Sequence, residues 1–248
     1  MIGAWLPEYM HKHPLLRFFI RHSVDYIYAE TDFMKQRIQD LGFANTFVMH
    51  NFKNLVIINA SEMKKEWEKP FPVCIFSRIM RQKGISDAVN AIKEINEEAG
   101  RLIYKLDIYG PVLPTEKDWF EKEMKDFTPA IKYQGVIEFN KSVNTVKQYF
   151  LLLFPTHFKT EGIPGSIIDA YAAGVPVLAA RWENFNEIVE EGVTGFGYEM
   201  GKTGELKQKL LELADNPEKV ILIKTNCLEK IKSFAPSAAI SKLISHLS

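Results

Sequence analysis

Residues 149–180, YFLLLFPTHFKTEGIPGSIIDAYAAGVPVLAA, decide the fold. An apolar run from Tyr149 to Phe154 has strand character, a turn follows at Gly162, Pro164 and Gly165, an apolar helix takes over, and a second β-branched run opens at Val175. Strand, helix and strand in this order make a βαβ unit, and such units build parallel sheets. The alternation recurs from residue 25 to the C-terminus. Strands are expected at Asp25–Ala29, Phe47–His50, Val73–Phe76, Leu102–Tyr109, Ile131–Gln134, Tyr149–Phe154, Val175–Ala179 and Gly195–Tyr198. Helical spacing of Ile85, Val89, Ile92 and Ile95 marks a helix with one core face. Thr115 is the expected N-cap of a helix through PTEKDWFEKEMKDF, and another helix is expected to start at DNPEK with Pro217 in its first turn.

The expected fold class is therefore α/β, a Rossmann-like doubly wound parallel sheet over residues 71–248. Residues 61–70, SEMKKEWEKP, are charged and lack strand character, which makes them the expected linker. The 1–60 stretch ahead of it holds one βαβ unit, too little for a stable domain of its own. No fixed-period repeat and no low-complexity segment occurs.

Composition narrows the function. With 248 residues, 46% of them hydrophobic, the chain can bury a sizeable core. Lys plus Arg balances Asp plus Glu at 31 each, so no global basic field attracts nucleic acid. Cys74 and Cys227 are far apart and form no CxxC pair; they suit a reducing compartment and read as buried small apolar residues. The N-terminal thirty residues carry neither a signal pattern nor a run long enough to span a membrane. Within them LLRFFIR reads either as a packed helix or as a peripheral contact with an anionic membrane surface. His11 and His13 form an HxH pair with no third ligand at sensible spacing. Gly201, Lys202 and Thr203 spell the end of a P-loop, but Phe196 stands where its first glycine belongs. No GxGxxG occurs.

In open parallel sheets ligands bind outside the carboxyl ends of strands, so the loops that follow strands are the ones to inspect. SRIMRQKG, residues 77–84, places Arg78, Arg81 and Lys83 after the strand VCIF and closes on Gly84. The turn EGIPG leaves backbone N–H groups of Gly165 and Ser166 at a helix N-terminus, a ready anion site. A phosphate there repels Glu161 and Asp169 unless those acids meet hydroxyl groups. Sugar hydroxyls fit.

These two loops resemble the G/S-R-x-x-x-x-K-G and E-G-x-P-x-x-x-x-E-A-x-A-x-G-x-P-V-x-A segments of the retaining GT-B glycosyltransferases of family 4, the glycosyl transferases group 1. NEIVEEGVTGF is similar to that family's P-E-x-V-x-x-G-x-T-G-x segment, and order and spacing match through residues 72–199. DYIYAETDFMKQRIQDLGFANTFVMHNF looks like the last βαβ unit of the family's N-terminal acceptor domain, up to Asn51 before the interdomain connection. The resemblance implies a GT-B enzyme truncated at its N-terminus, whose C-terminal half is the nucleotide-sugar-binding domain. It implies that Arg78 and Lys83 hold the diphosphate of a UDP- or GDP-linked sugar, that the Gly165 and Ser166 amides cap the distal phosphate, and that Asp169 meets the ribose. Glu161 is expected at the donor sugar, as the catalytic position, and Ile137 beside the nucleobase. Position 169 is Asp where the family pattern has Glu.

The reaction implied by the resemblance is a retaining hexosyl transfer, with no cofactor and no metal, to a glycan or lipid-linked acceptor in polysaccharide, glycan or glycolipid synthesis. The expected location is the cytoplasm or the inner face of its membrane. The lack of any two aspartates two residues apart excludes a DxD metal site, which leaves the leaving diphosphate to Arg78, Lys83 and the helix end. Because nearly all of an acceptor domain is missing, two alternatives stand: a partner polypeptide supplies that half, or the chain is a non-catalytic nucleotide-sugar-binding subunit or fragment.

Overall fold

The structure is a computed structural model describing residues 6–247; the first five residues of the N-terminal stretch discussed above, and Ser248, lie outside it. Among the described residues eight strands form two sheets. Strands β1 (Ile27–Ala29) and β2 (Thr46–Val48) pair in parallel across helix α3 (Asp32–Asp40), with α1 (Leu6–Lys12) and α2 (Pro14–Ser23) ahead of them. The larger sheet comprises β3 (Phe71–Phe76), β4 (Tyr104–Tyr109), β5 (Ile131–Gly135), β6 (Leu151–Phe154), β7 (Val177–Arg181) and β8 (Gly195–Glu199). Its order is β5-β4-β3-β6-β7-β8 with every pair parallel, a Rossmann-like doubly wound sheet. Each strand falls within two residues of its sequence-predicted bounds.

Helices α4 (Ile85–Glu98), α5 (Lys117–Lys125), α6 (Ser142–Val146), α7 (Gly165–Ala172), α8 (Phe185–Ile188), α9 (Thr203–Asp215), α10 (Glu218–Leu222), α11 (Lys224–Lys230) and α12 (Pro236–Leu247) complete the described chain. Alternate strand residues feed the two faces. Val73, Ile75, Leu151, Leu153 and Leu178 join the core under α4 and α9, while Cys74, Leu152, Phe154, Val177 and Ala179 join the one under α7 and α11. Both faces are covered, which is why these strands read as continuous apolar runs. On α4, Ile85, Val89, Ile92 and Ile95 are all buried, each contributing roughly 1.5–3 kcal/mol relative to exposure. Both cysteines are buried and free.

One expectation is corrected. Thr115 does not cap α5: Pro114–Glu116 form a 3-10 turn, the helix proper starts at Lys117, and no side chain caps it. Pro114 fixes a helical φ one residue too early for Thr115 to serve as the extended cap residue. The packed-helix reading of LLRFFIR finds no covering partner among the described residues. Helix α2 buries none of its residues; Leu15, Phe18 and Phe19 are exposed, and only Ile20 leans on the small core.

The small sheet is bolted to the large one. The Glu187 carboxylate of α8 accepts from the N–H groups of Asp32 and Phe33 at 2.7 and 2.8 Å, capping α3 from across the seam. Thr31 Oγ1 donates to Asn184 Oδ1 at 2.6 Å, both side chains buried. His246 of α12 bonds Tyr28 Oη at 2.7 Å and stacks on Tyr26, so the C-terminal helix returns to lie against the small sheet. The charged 61–70 stretch is also fixed: Trp67 is buried in the larger unit's core.

Candidate functional site

Winding reverses between β3 and β6, and a crevice opens outside their carboxyl ends. Loop 77–84 leaves β3 and loop 155–164 leaves β6, so the SRIMRQKG and EGIPG segments border it. Gly84 joins them closely. It sits at φ 67°, and a Cβ there would collide with the Pro155 carbonyl, so the Lys-Gly pair needs its glycine both for conformation and for approach. His157 N–H donates to the Gln82 carbonyl at 2.8 Å and completes the crossing.

Two adjoining cavities occupy the crevice and share Phe76, Ser77, Gly165 and Ser166. The polar one, 350 Å³, is lined by Arg78, Lys83, Glu161 and Glu30 among others. The apolar one, 290 Å³, has Val136, Ile137 and Phe139 on one wall and Asp169 at its floor. Phe76 and Tyr109 stack beside it with centroids 4.5 Å apart. Glu161, Arg78, Lys83, Gly165, Ser166, Asp169 and Ile137 each line one cavity or both, whereas Arg81 lines neither and pairs with Glu116 at 2.8 Å.

The carboxylates are not solvated loop acids. Lys83 and Glu161 form a close ion pair with side chains 11% and 16% exposed, and Thr156 donates to the same carboxylate oxygen at 3.2 Å. The Glu161 main chain is fixed too, its carbonyl accepting from Asn184 Nδ2 at 2.6 Å. Asp169 is buried on the second turn of α7. One of its oxygens meets Lys53 Nζ at 2.6 Å; the other, Oδ1, is buried with no hydrogen-bond partner in bonding geometry among the described residues, and the nearby Ser142 hydroxyl bonds Phe139 O at 2.9 Å. Burial pushes the Asp169 carboxyl up, and the Lys53 ammonium, with a smaller contribution from the Ser142 hydroxyl, draws it back only in part. Arg78 is exposed at the rim of the polar cavity.

Helix α7 begins at Gly165 with Pro164 at its N-cap and no side-chain cap. Among the described residues no acceptor bonds the N–H of Gly165 or Ser166. Free donors, the positive end of a helix and two nearby cations form a place for phosphate. An orphaned carboxylate oxygen beside it calls for hydroxyl donors.

Residues 27–53 also reach the crevice, which local sequence reading did not reveal. Glu30 accepts from the Ile163 N–H at 2.9 Å, Asn51 Nδ2 donates to the Ile163 carbonyl at 2.9 Å, and Lys53 pairs with Asp169. Asn51 was signalled by its place before the interdomain connection. Glu30 and Lys53 had no signal, since their partners lie 133 and 116 residues away.

The geometry has company among known proteins. The chain is 20% identical over 156 residues to an uncharacterized glycosyltransferase of Methanocaldococcus jannaschii and 24% identical over 226 residues to another from that organism. It is 20% identical over 174 residues to the amylovoran biosynthesis glycosyltransferase AmsK of Erwinia amylovora. These matches take in 62%, 88% and 69% of the chain but only 39%, 59% and 43% of the relatives, so the chain spans about half their length. In fold it is similar to Anabaena HepE, solved with UDP, at a TM-score of 0.80 and 18% identity, over 99% of this chain and 70% of that one. S. aureus TarM is similar at 0.75 and 17%, over 91% of this chain and 44% of that one. The larger sheet is thus the Rossmann-like half of a GT-B architecture. The family model for glycosyl transferases group 1 matches residues 71–216, more than half of the sequence and the whole of that sheet, and the chain belongs to this family.

Proposed function

We propose that the crevice binds a nucleotide-sugar donor, UDP- or GDP-linked, and that the protein serves the transfer of its hexosyl group with retention of configuration to a glycan or lipid-linked acceptor. The observation that carries this reading is the union, in one crevice, of uncovered α7 amides and Lys83 with two carboxylates, one of which has an unfilled oxygen. Phosphate alone would be repelled by Glu161 and Asp169; a ligand that joins phosphates to two hydroxylated rings satisfies both kinds of group. In this reading the apolar cavity takes the base beside Ile137, and Asp169 accepts from the ribose. The amides of Gly165 and Ser166, with Arg78 and Lys83, stabilise charge developing on the leaving diphosphate without a metal ion. Glu161 faces the donor sugar, and donor binding loosens its pair with Lys83. HepE with UDP and the amylovoran relative support a UDP donor and a polysaccharide product.

Because the chain spans about half the length of its relatives, an acceptor half is proposed to come from a second polypeptide or from the rest of a longer chain. It would cover the apolar face of α2. A peripheral contact of α2 with the inner face of a membrane is the competing role for Leu15, Phe18 and Phe19. Among the described residues no helix is long and apolar enough to cross a membrane.

A panel of UDP-, GDP- and ADP-sugars read by thermal shift tests the donor assignment, since a ligand that binds only the native state raises Tm. One or more is expected to raise it; no shift at millimolar concentration with any of them would contradict the assignment. Sugar transfer by the chain alone, against transfer only with an added partner, separates an enzyme from a donor-binding subunit.

A further inference from the structure

We propose that Lys53 is a donor-binding residue: it holds Asp169 while the crevice is empty and passes to the donor's diphosphate when ribose hydroxyls take the carboxylate. The inference rests on the nucleotide-sugar reading and adds to it a cation from the connection between the two sheets.

Three observations converge. Lys53 Nζ bonds Asp169 Oδ2 at 2.6 Å and lies 5.1 Å from the centre of the Phe139 ring, its other charged-group contact. Its stem also crowds the start of α7. A Cβ on Gly165 would lie 2.9 Å from Lys53 Cε and 3.3 Å from Nζ, so the ammonium stands over the first residue of the helix. A cation at the positive end of a helix is misplaced unless an anion lies there. Asp169 supplies that anion now, and a phosphate on the Gly165 and Ser166 amides would supply a better one.

The third observation is the state of Asp169 itself. Its carboxylate is buried, Oδ1 lacks a partner among the described residues, and Asp169 borders the cavity that Lys53 also lines. The ion pair therefore satisfies half of the acid. Two vicinal ribose hydroxyls would satisfy both oxygens and release the ammonium, whose four-carbon stem lets it swing toward the adjoining polar cavity without moving the backbone. Charge favours the exchange. In the empty crevice Arg78, Lys83 and Lys53 face Glu30, Glu161 and Asp169, three against three. A diphosphate adds negative charge, and Lys53 is the cation whose present partner a ribose can replace.

Calorimetry on folded variants of the whole chain decides, using UDP, GDP and ADP with their parent nucleosides as probes. Lys53→Met is expected to weaken the best-bound diphosphate at least about tenfold, to change the nucleoside far less, and to lower the salt dependence of diphosphate binding, while Lys53→Arg restores most of the loss. The same step is then made in an Asp169→Asn background, where Lys53 has no carboxylate to neutralise. If it contacts the diphosphate, Lys53→Met still costs about tenfold there. Equal losses for nucleoside and diphosphate, or no further loss in the Asp169→Asn background, would overturn the proposal and leave Lys53 a neutralising neighbour of Asp169. If wild type binds none of the diphosphates, the nucleotide-sugar reading falls first and this role with it; if wild type binds and the Lys53 variants bind equally, only this role falls.

Discussion

Buried charge in this protein comes in two kinds, pairs that border the crevice and a lone cation that does not. Lys83 and Glu161 are joined at the crevice, as are Lys53 and Asp169, each pair open to a cavity where a ligand can exchange partners. Lys224 opens on neither. It is buried on α11, among the described residues it has no acceptor on Nζ and lies over the Trp67 ring at 5.2 Å, and burial pushes its ammonium down to about 8. Since its ordinary value is 10.5, the unfolded chain holds the proton more tightly, so stability rises with pH between about 8 and 10.5 and the full cost stands below 8. Lys224→Met is expected to raise stability by about 2 kcal/mol at pH 7, with the gain shrinking above pH 8. Urea denaturation of both proteins at pH 7 and pH 9.5 measures this; a destabilised variant, or a gain independent of pH, would contradict it. At this scale the legible residues were those whose role is local. Arg78 and Lys83 stand after a strand's carboxyl end and Asp169 in the first two turns of a helix, and the local motifs that hold them single them out. Lys53 and Glu30 act across more than a hundred residues, and no window of sequence contains both partners.

Among the elements, the strands were legible because a sheet covered on both faces demands long apolar runs, and all eight expected strands appear. Helix ends were less so. Thr115 looked like a cap because threonine before acidic residues often is one, but Pro114 winds the chain early into a 3-10 turn and Glu116 turns to Arg81 at 2.8 Å. Loop 77–84 shows the reverse, a turn whose glycine is required. Gly84 takes φ 67° against the Pro155 carbonyl and so ties the β3 loop to the β6 loop. Gly84→Ala is expected to cost about 2 kcal/mol or more in denaturation, from left-handed strain plus the collision, and to weaken donor binding through the neighbouring Lys83. Unchanged stability together with unchanged affinity would show that the loop crossing does not position Lys83.

For the molecule as a whole, the sequence divides the chain at a charged linker, while the structure shows the short N-terminal unit tied to the larger one through Glu187, the Thr31–Asn184 bond and His246. That attachment brings Glu30, Asn51 and Lys53 to the crevice, so residues 27–53 take part in the candidate site as well as preceding it. What is left open is the face of α2, where Leu15, Phe18 and Phe19 meet solvent in a chain that spans about half its relatives' length. The central claim is that the crevice between β3 and β6 seats a nucleotide-sugar, and calorimetric titration of the purified chain with UDP-, GDP- and ADP-sugars tests it most directly. Wild type is expected to bind at least one of them with a defined stoichiometry. Lys83→Ala should weaken that donor by about tenfold or more, the loss of one charge-assisted contact, and Glu161→Ala should weaken the nucleotide-sugar more than the bare nucleoside diphosphate. The claim is contradicted if wild type binds no donor, or if both variants bind as wild type does.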